Sequence, residues 1–287
     1  MNYKIIADSS SNVFHMEGVN YATVPLKIVA GDKEFVDNEQ LDLHGMVSYL
    51  KSYKGKSGSS CPNVQEWLEA FGDADWVFGI TITKHLSGSY NAAQQAAQLF
   101  AEEHPDKKIF IIDSLSAGPE MVMLVEKLKE LIDAGHDFET VKEKVLEFHN
   151  HNHTLFCLRS MNNLARNGRV HPAVAKIASV LNIRAVGDVK GGEITPTEKP
   201  RGDKKATDAL VAMIKERGFY DGAILRIAHC FGEVHAKALA DGVLAEFPNT
   251  KVVIEPTGAL CSFYAEEGGL MIGFQGGFNE NNDNRKF

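Results

Sequence analysis

Small hydroxyl side chains gather at four places in this 287-residue sequence: Asp8-Ser9-Ser10-Ser11, Ser59-Ser60-Cys61-Pro62-Asn63, Leu86-Ser87-Gly88-Ser89-Tyr90 and Asp113-Ser114. Three of them follow short apolar runs that read as strands, and two precede segments of helical period. Serine donates one neutral hydrogen bond, and a helix start adds free N–H groups and partial positive charge, so the combination suits a carboxylate or a phosphate. The most informative stretch is Ile80-Thr81-Ile82-Thr83-Lys84-His85-Leu86-Ser87-Gly88-Ser89-Tyr90, a strand that ends in a polar loop and opens onto an amphipathic helix. Taken alone, Ser87 or Ser89 has an ordinary use as a helix cap. The shared placement of four such clusters at strand ends or helix starts, where α/β sheets hold ligands, favours one ligand site.

Other chemistries have weaker support. No GxSxG elbow, HExxH pair or GxGxxG fingerprint occurs. A hydrolase would need Ser87 as nucleophile and a distant histidine, His85, His229 or His235, as base, and no spacing requires it. The series His149-Asn150-His151-Asn152-His153 could line up metal ligands, but it falls at a helix end, where imidazoles favour the dipole. No metal site is expected. Gly55-Lys56-Ser57 imitates the end of a phosphate loop, but Leu50 occupies the place of its first glycine. Arg201-Gly202-Asp203 matches an adhesion tripeptide by letters only. The basic residues Arg159, Arg166, Arg169, Lys199, Arg201, Lys204 and Lys205 form a cluster that fits either a solvated face or a docking patch for an anionic group or partner.

The elements that must position these residues follow from hydrophobic period. Tyr3-Ala7, Ala22-Val29, Trp76-Thr83 and Ile109-Ile112 read as strands, and Gln65-Phe71, Tyr90-Glu103, Glu120-Ala134 and Phe138-His149 as helices. In the third helix, Met121, Leu124, Val125, Leu128, Leu131 and Ile132 share one face. The alternation predicts βα units around a parallel sheet. From residue 154 onward strands outnumber helices: Leu155-Leu158, Ile183-Val189, Gly192-Thr197, Ala223-Ala228, Val252-Ile254 and Leu270-Phe274. Within that region Gly191-Gly192 marks an antiparallel hairpin turn. The fold class expected is therefore α/β in two domains: an N-terminal parallel α/β/α domain over residues 1–153 and a C-terminal mixed, strand-rich α/β domain over 154–278. A polar tail over 279–287 completes the chain; Gly276-Phe287, rich in Asn, Gly and charge, is expected to bury little.

Composition sets the outer limits. Thirty Lys and Arg stand against 38 Asp and Glu, for a net charge of −8, which disfavours nucleic-acid binding and adsorption to anionic membranes. The Met1-Asn2-Tyr3-Lys4 start lacks the features of a signal peptide, and the four cysteines (61, 157, 230 and 261) are scattered without a CxxC pair. A cytoplasmic protein with reduced thiols is expected. No apolar run is long enough to span a bilayer, so a lipid would be met in solution or in transient contact with a membrane surface.

In order along nearly the whole chain, several short motifs resemble the DegV family, the fatty-acid-binding subunits that work with bacterial fatty acid kinase. They are Asp8-Ser9-Ser10, Pro25-Leu26 with Asp37, Ser59-Ser60-x-Pro62, Leu86-Ser87-Gly88-Ser89-Tyr90, Asp113-Ser114, Leu164-x-x-x-Gly168-Arg169-Val170 and Glu198-Lys199-x-Arg201-Gly202. The resemblance implies a long-chain fatty acid in a pocket between two α/β domains, with its carboxylate on Ser59, Ser60, Ser87, Gly88 and Ser89. It implies Arg169 and Arg201 near the pocket mouth, facing a kinase catalytic subunit as partner. No catalytic residue and no cofactor beyond the bound fatty acid are implied. Ser59 stands where the family commonly has Thr and Asn167 where it often has Gly, and Tyr264 takes the place of a histidine. The Tyr264 phenol can still donate one hydrogen bond to the head group. Two other readings of the same hydroxyl loops stay open: a serine-dependent acyl transferase or esterase using Ser87, and a binding module for another small acid or carbonyl compound.

Overall fold

The computed structural model describes residues 2–176 and 181–282. The last five residues of the expected polar tail, 283–287, lie outside that set. The chain divides into two compact units, one of Met1–Ala117, Met121–His149 and Gly258–Leu260, the other of Gly118–Glu120, Asn150–Thr257 and Cys261–Phe287.

In chain order, the elements up to residue 149 are β1 (Tyr3–Asp8), β2 (Tyr21–Val24), β3 (Lys27–Ala30), β4 (Lys33–Val36), α1 (Leu43–Ser52), β5 (Ser57–Ser60), α2 (Val64–Phe71), β6 (Trp76–Thr81), α3 (Ser89–Glu103), β7 (Lys108–Asp113), α4 (Pro119–Asp133) and α5 (Phe138–His149). Strands β2-β1-β6-β7 form the expected parallel sheet. Successive residues of a strand face opposite ways, so Ile5, Phe78 and Ile80 pack with Met121, Leu124, Leu128 and Val141, while Ile6 and Val77 pack with Trp67, Phe71, Ala93, Ala96 and Phe100. A three-layer α/β/α unit results. The α4 face read from the sequence is the buried one: Met121, Leu124, Val125, Leu128 and Leu131 are buried, with Ile132 packed beside them.

Two features depart from the sequence reading. The run Ala22-Val29 is two strands, because Pro25 has no N–H to give a ladder and the chain turns there. Leu26 N–H then donates to Ser9 Oγ at 2.9 Å, while β3 joins a separate antiparallel sheet of order β4-β3-β5. Ser59 and Ser60 consequently sit at the end of strand β5, not in a free loop, with Lys27 opposite Ser60 and Ile28 opposite Ser59. The expected strand Trp76-Thr83 also stops at Thr81.

The second unit carries β8 (Asn152–Leu158), α6 (Asn162–Arg166), α7 (Pro172–Ala175), β9 (Ala185–Lys190), β10 (Glu193–Glu198), α8 (Asp203–Glu216), β11 (Ile224–His229), α9 (Glu233–Glu246), β12 (Lys251–Pro256), α10 (Ala259–Ala265) and β13 (Leu270–Gln275). Its six strands run in the order β10-β9-β8-β13-β11-β12, parallel only between β11 and β12. The hairpin falls where expected: Lys190 pairs with Glu193, and Gly191 and Gly192 take φ of 55° and 87°, a geometry that excludes most side chains. Against the expectation of a tail that buries little, Asn279 and Asn282 are buried. Their amides donate to Asn152 O at 2.7 and 3.2 Å, and Asn282 also donates to Glu120 at 3.2 Å. Among the described residues, no helix is long and apolar enough to cross a membrane.

Candidate functional site

The carboxyl end of the parallel sheet in the first unit is organised by Asp8, which is fully buried. One carboxylate oxygen accepts from the Ser10 amide at 3.2 Å and from the Ser10 hydroxyl. The other accepts from Ile82 N–H at 2.9 Å and from the Ser89 hydroxyl at 2.6 Å. Four donors fill the carboxylate, although burial still pushes its pKa above the ordinary carboxyl range. Asp8 therefore ties the last residue of β1 to both ends of the segment that leads from β6 into α3.

That segment is further fixed by Thr83, whose amide donates to Ser116 O at 2.9 Å and whose carbonyl accepts from Leu86 and Ser87 N–H at 3.1 and 3.3 Å. Asp113, at the end of β7, accepts from Lys84 and Leu115 N–H at 3.3 and 3.1 Å. Burial raises the Asp113 pKa against those bonds. The result is a rigid turn on which Ser87 is half-buried and Gly88 exposed.

Gly88 is the N-cap of α3, and no side chain caps the helix. The first-turn amides of α3 have no intrahelical acceptor, as at any helix start. The Ser89 amide reaches Ser87 Oγ at 3.3 Å. Ser87 uses its oxygen there as an acceptor, and its hydroxyl proton has no acceptor among the described residues. Gly88 is also the point where the turn meets the β5 end: a Cβ built on it would lie 3.2 Å from Cys61 Sγ. The two expected hydroxyl segments are thus neighbours. Ser59 is half-buried and Ser60 exposed at that end of β5.

Ser89 differs from the sequence reading. Its hydroxyl is fully buried and its single proton goes to Asp8, so it positions the turn and has no donor left for an anion. Asp8 and Asp37 are the residues that reading left out of the site. Asp37, 1% exposed, accepts from Ala259 and Leu260 N–H at 2.7 and 3.1 Å, and Asn12 Oδ1 accepts from Gly258 N–H at 2.8 Å. Burial pushes the Asp37 pKa up to about 6, against the bonds from Leu260, Ala259 and Ser9. The signal available in the sequence was that each acid closes a short apolar run, Asp8 after Ile5-Ile6-Ala7 and Asp37 after Phe35-Val36.

The remaining expected site residues belong to the second unit. Tyr264 is half-buried on α10, its ring 4.8 Å from that of Phe263, and the Arg169 guanidinium lies 5.6 Å from its centroid. Arg169 also donates to Asn167 O at 2.5 Å. Arg201 is exposed, and its backbone bridges to Ile183. The histidine series does not converge: His149 Nε2 is 2.8 Å from Ser114 O and His153 Nε2 is 2.9 Å from Gly277 O. No group of three or more His, Cys, Asp or Glu suited to a metal occurs among the described residues.

A parallel α/β unit with an uncapped helix start beside a serine-bearing strand end, followed by a mixed-sheet unit, is an architecture with known relatives. The chain belongs to the DegV family, whose model, described as "Uncharacterised protein, DegV family", matches residues 2–275. A DegV domain-containing protein of Streptococcus pneumoniae is 39% identical over 280 residues, covering 96% of this chain and 99% of its own length. The solved structure of the Streptococcus pneumoniae Fatty Acid Kinase (Fak) B3 protein loaded with linoleic acid matches with a TM-score of 0.93 and 39% identity, over 96% of this chain and 99% of that one. A DegV family protein from Eubacterium eligens loaded with heptadecanoic acid matches with the same score at 38% identity, again over 96% and 99%.

Proposed function

We propose that this protein binds a long-chain fatty acid and presents its carboxylate to a fatty acid kinase catalytic subunit, with no catalytic residue of its own. The observation that carries the proposal is the uncommitted hydroxyl proton of Ser87, held at the uncapped start of α3 beside the Ser59-Ser60 strand end. Ser87, Ser59, Ser60 and the first-turn amides of α3 supply neutral donors that orient a carboxylate. Donors of this kind leave its oxygens reactive, whereas a bidentate Arg clamp would hold both. Arg169 and Arg201 serve the partner. The fatty acids held by the Streptococcus pneumoniae and Eubacterium eligens structures support the ligand class. Affinity comes from the tail: at ~0.8 kcal/mol per buried methylene, a chain of roughly fourteen gains about 11 kcal/mol before ordering costs.

The esterase reading requires a base on Ser87, and among the described residues no histidine ring is bonded to its oxygen. Ser87→Ala separates the two readings. For a carrier the fold is retained and fatty-acid affinity falls about ten- to a hundredfold, the worth of one hydrogen bond to a charged group. The measurements are fatty-acid affinity and covalent labelling by an acyl fluorophosphonate. Unchanged affinity in the variant, or stoichiometric labelling of Ser87 in the wild type, defeats the carrier reading.

A further inference from the structure

Ser89, the first residue of α3, commits both of its donors to the turn that carries Ser87. Its hydroxyl donates to Asp8 Oδ2 at 2.6 Å, and its amide donates to Ser87 Oγ at 3.3 Å. The Ser87 oxygen is thereby held from one side, which restricts the arc in which its own hydroxyl proton points. Asp8 Oδ2 also accepts from Ile82 N–H at 2.9 Å, so a single oxygen atom spans the turn from Ile82 to Ser89. The second oxygen is kept in place by the Ser10 amide at 3.2 Å and by the Ser10 hydroxyl. Asp8 and Ser89 are both fully buried, so water does not compete for these bonds.

Stability alone does not account for an ion in this place. A buried carboxylate gives up its hydration, and well-packed apolar replacements for buried ionic groups are often neutral or stabilising. Four donors converge on Asp8, and a carboxylate accepts from all of them, whereas an amide in its place would aim an NH₂ group at one pair of donors. What the ion supplies is a fixed separation between the end of β1 and the turn, passed on to Ser87 through one residue.

We propose that Asp8 is a positioning residue for phosphoryl transfer: acting through Ser89, it fixes the Ser87 hydroxyl, so that the bound carboxylate is held by one oxygen and turns the other towards the kinase. This inference rests on the fatty-acid carrier reading. In the step served, one carboxylate oxygen forms a bond to the terminal phosphorus of a nucleoside triphosphate held by the kinase, while the bond from that phosphorus to the departing nucleoside diphosphate breaks. The carboxylate enters without a proton, so the step needs no base from this chain. Transfer of this kind is governed by in-line positioning, and a displacement of about 1 Å is enough to lower the rate about a hundredfold. Retention of the fatty acid depends chiefly on the buried tail and tolerates the same displacement.

The test uses the intact protein, palmitate labelled with 13C at its carboxyl carbon, and an added fatty acid kinase catalytic subunit. Wild type is compared with Asp8→Asn, Ser89→Ala, Ser89→Thr and the Asp8→Asn/Ser89→Ala double variant. In Asp8→Asn and Ser89→Ala, palmitate Kd should stay within about threefold of the wild type, while phosphorylation of the fully loaded protein slows about tenfold or more. The carboxyl 13C resonance of the saturated complex should move in both, a change that a loss of stability alone does not produce. Ser89→Thr, which restores the hydroxyl, should recover the rate and the resonance. The double variant should be no slower than the slower single variant, because both substitutions break one relay. The Ser89 pair decides the question even if Asp8→Asn does not fold, since Asp8 is the acceptor of that hydroxyl. The role is overturned if loaded Ser89→Ala is phosphorylated at the wild-type rate, if its rate falls only in proportion to lost palmitate, or if the two single effects multiply in the double variant. Any of these with a wild type that binds palmitate leaves the carrier reading standing, whereas a wild type that binds no palmitate overturns that reading and this role together.

Discussion

Asp37 carries its charge at 1% exposure, compensated by hydrogen bonds from the amides of Ala259 and Leu260 and the hydroxyl of Ser9. Gly258 is required beside it, since a Cβ there would lie 2.9 Å from Asp37 Oδ1. With a folded pKa of about 6 against an ordinary value of 3.8, the folded state binds more protons than the unfolded state between those limits. Stability from this group is therefore gained as pH falls through 6 and lost as it rises. Wild type minus Asp37→Asn should gain about 1 kcal/mol between pH 7.5 and pH 5, read by denaturant unfolding at each pH. Asp8 and Asp113, whose pKa values are also raised by burial, add slope of the same sign to both proteins and cancel in the difference. A difference that does not vary with pH would show that Asp37 is not ionised differently in the two states. These contacts could not be read from the sequence: Asp37 and Leu260 are 223 residues apart, and Asp8 and Ser89 are 81 apart. What could be read was local, namely that Ser87 stands between a strand and a helix.

Helix α2 shows an element whose start is written in its own residues. Asn63 Oδ1 accepts from Glu66 N–H at 2.9 Å, and Glu66 returns a bond to Asn63 N–H at 2.7 Å, the reciprocal pair that Asn-x-x-Glu spacing predicts. Asn63→Ala should cost ~1 kcal/mol of stability and Asn63→Gly only a few tenths, measured by thermal and denaturant unfolding. Equal losses from both would mean that the cap contributes nothing and the side chain packs instead. The same local rules located α4 by its apolar face and the β9–β10 hairpin by Gly191-Gly192. They failed for the small β4-β3-β5 sheet, because Ser57-Gly58-Ser59-Ser60 has no apolar alternation and its partner β3 is only four residues long. Within β3 itself Ile28 and Ala30 alternate as fully buried residues, and it was the partners β4 and β5 that carried no matching pattern. The Ser59 and Ser60 positions were legible as hydroxyls near a helix, but not as a strand end beside Gly88.

On the proposed reading, the basic residues between Arg159 and Lys205, which stand out against a net charge of −8 for the whole chain, would steer an acidic partner. Arg201 is exposed there, while Arg169 rests against the Tyr264 ring. A rim charge acts mainly on the rate of encounter and its salt dependence, whereas lipid retention depends on buried apolar area. Arg201→Ala and Arg169→Ala should therefore keep bound fatty acid, and with it the rise in unfolding temperature that any ligand of the folded state produces. Both should slow acyl-phosphate formation by an added fatty acid kinase catalytic subunit by about three- to tenfold at low salt, and by less as ionic strength rises. Arg201→Ala is the cleaner probe, because removing Arg169 also uncovers Tyr264. The assignment fails if either variant loses fatty acid while its remaining loaded fraction is phosphorylated at the wild-type rate. It fails equally if both variants match the wild type at every salt concentration, which would place the docking surface elsewhere on the chain.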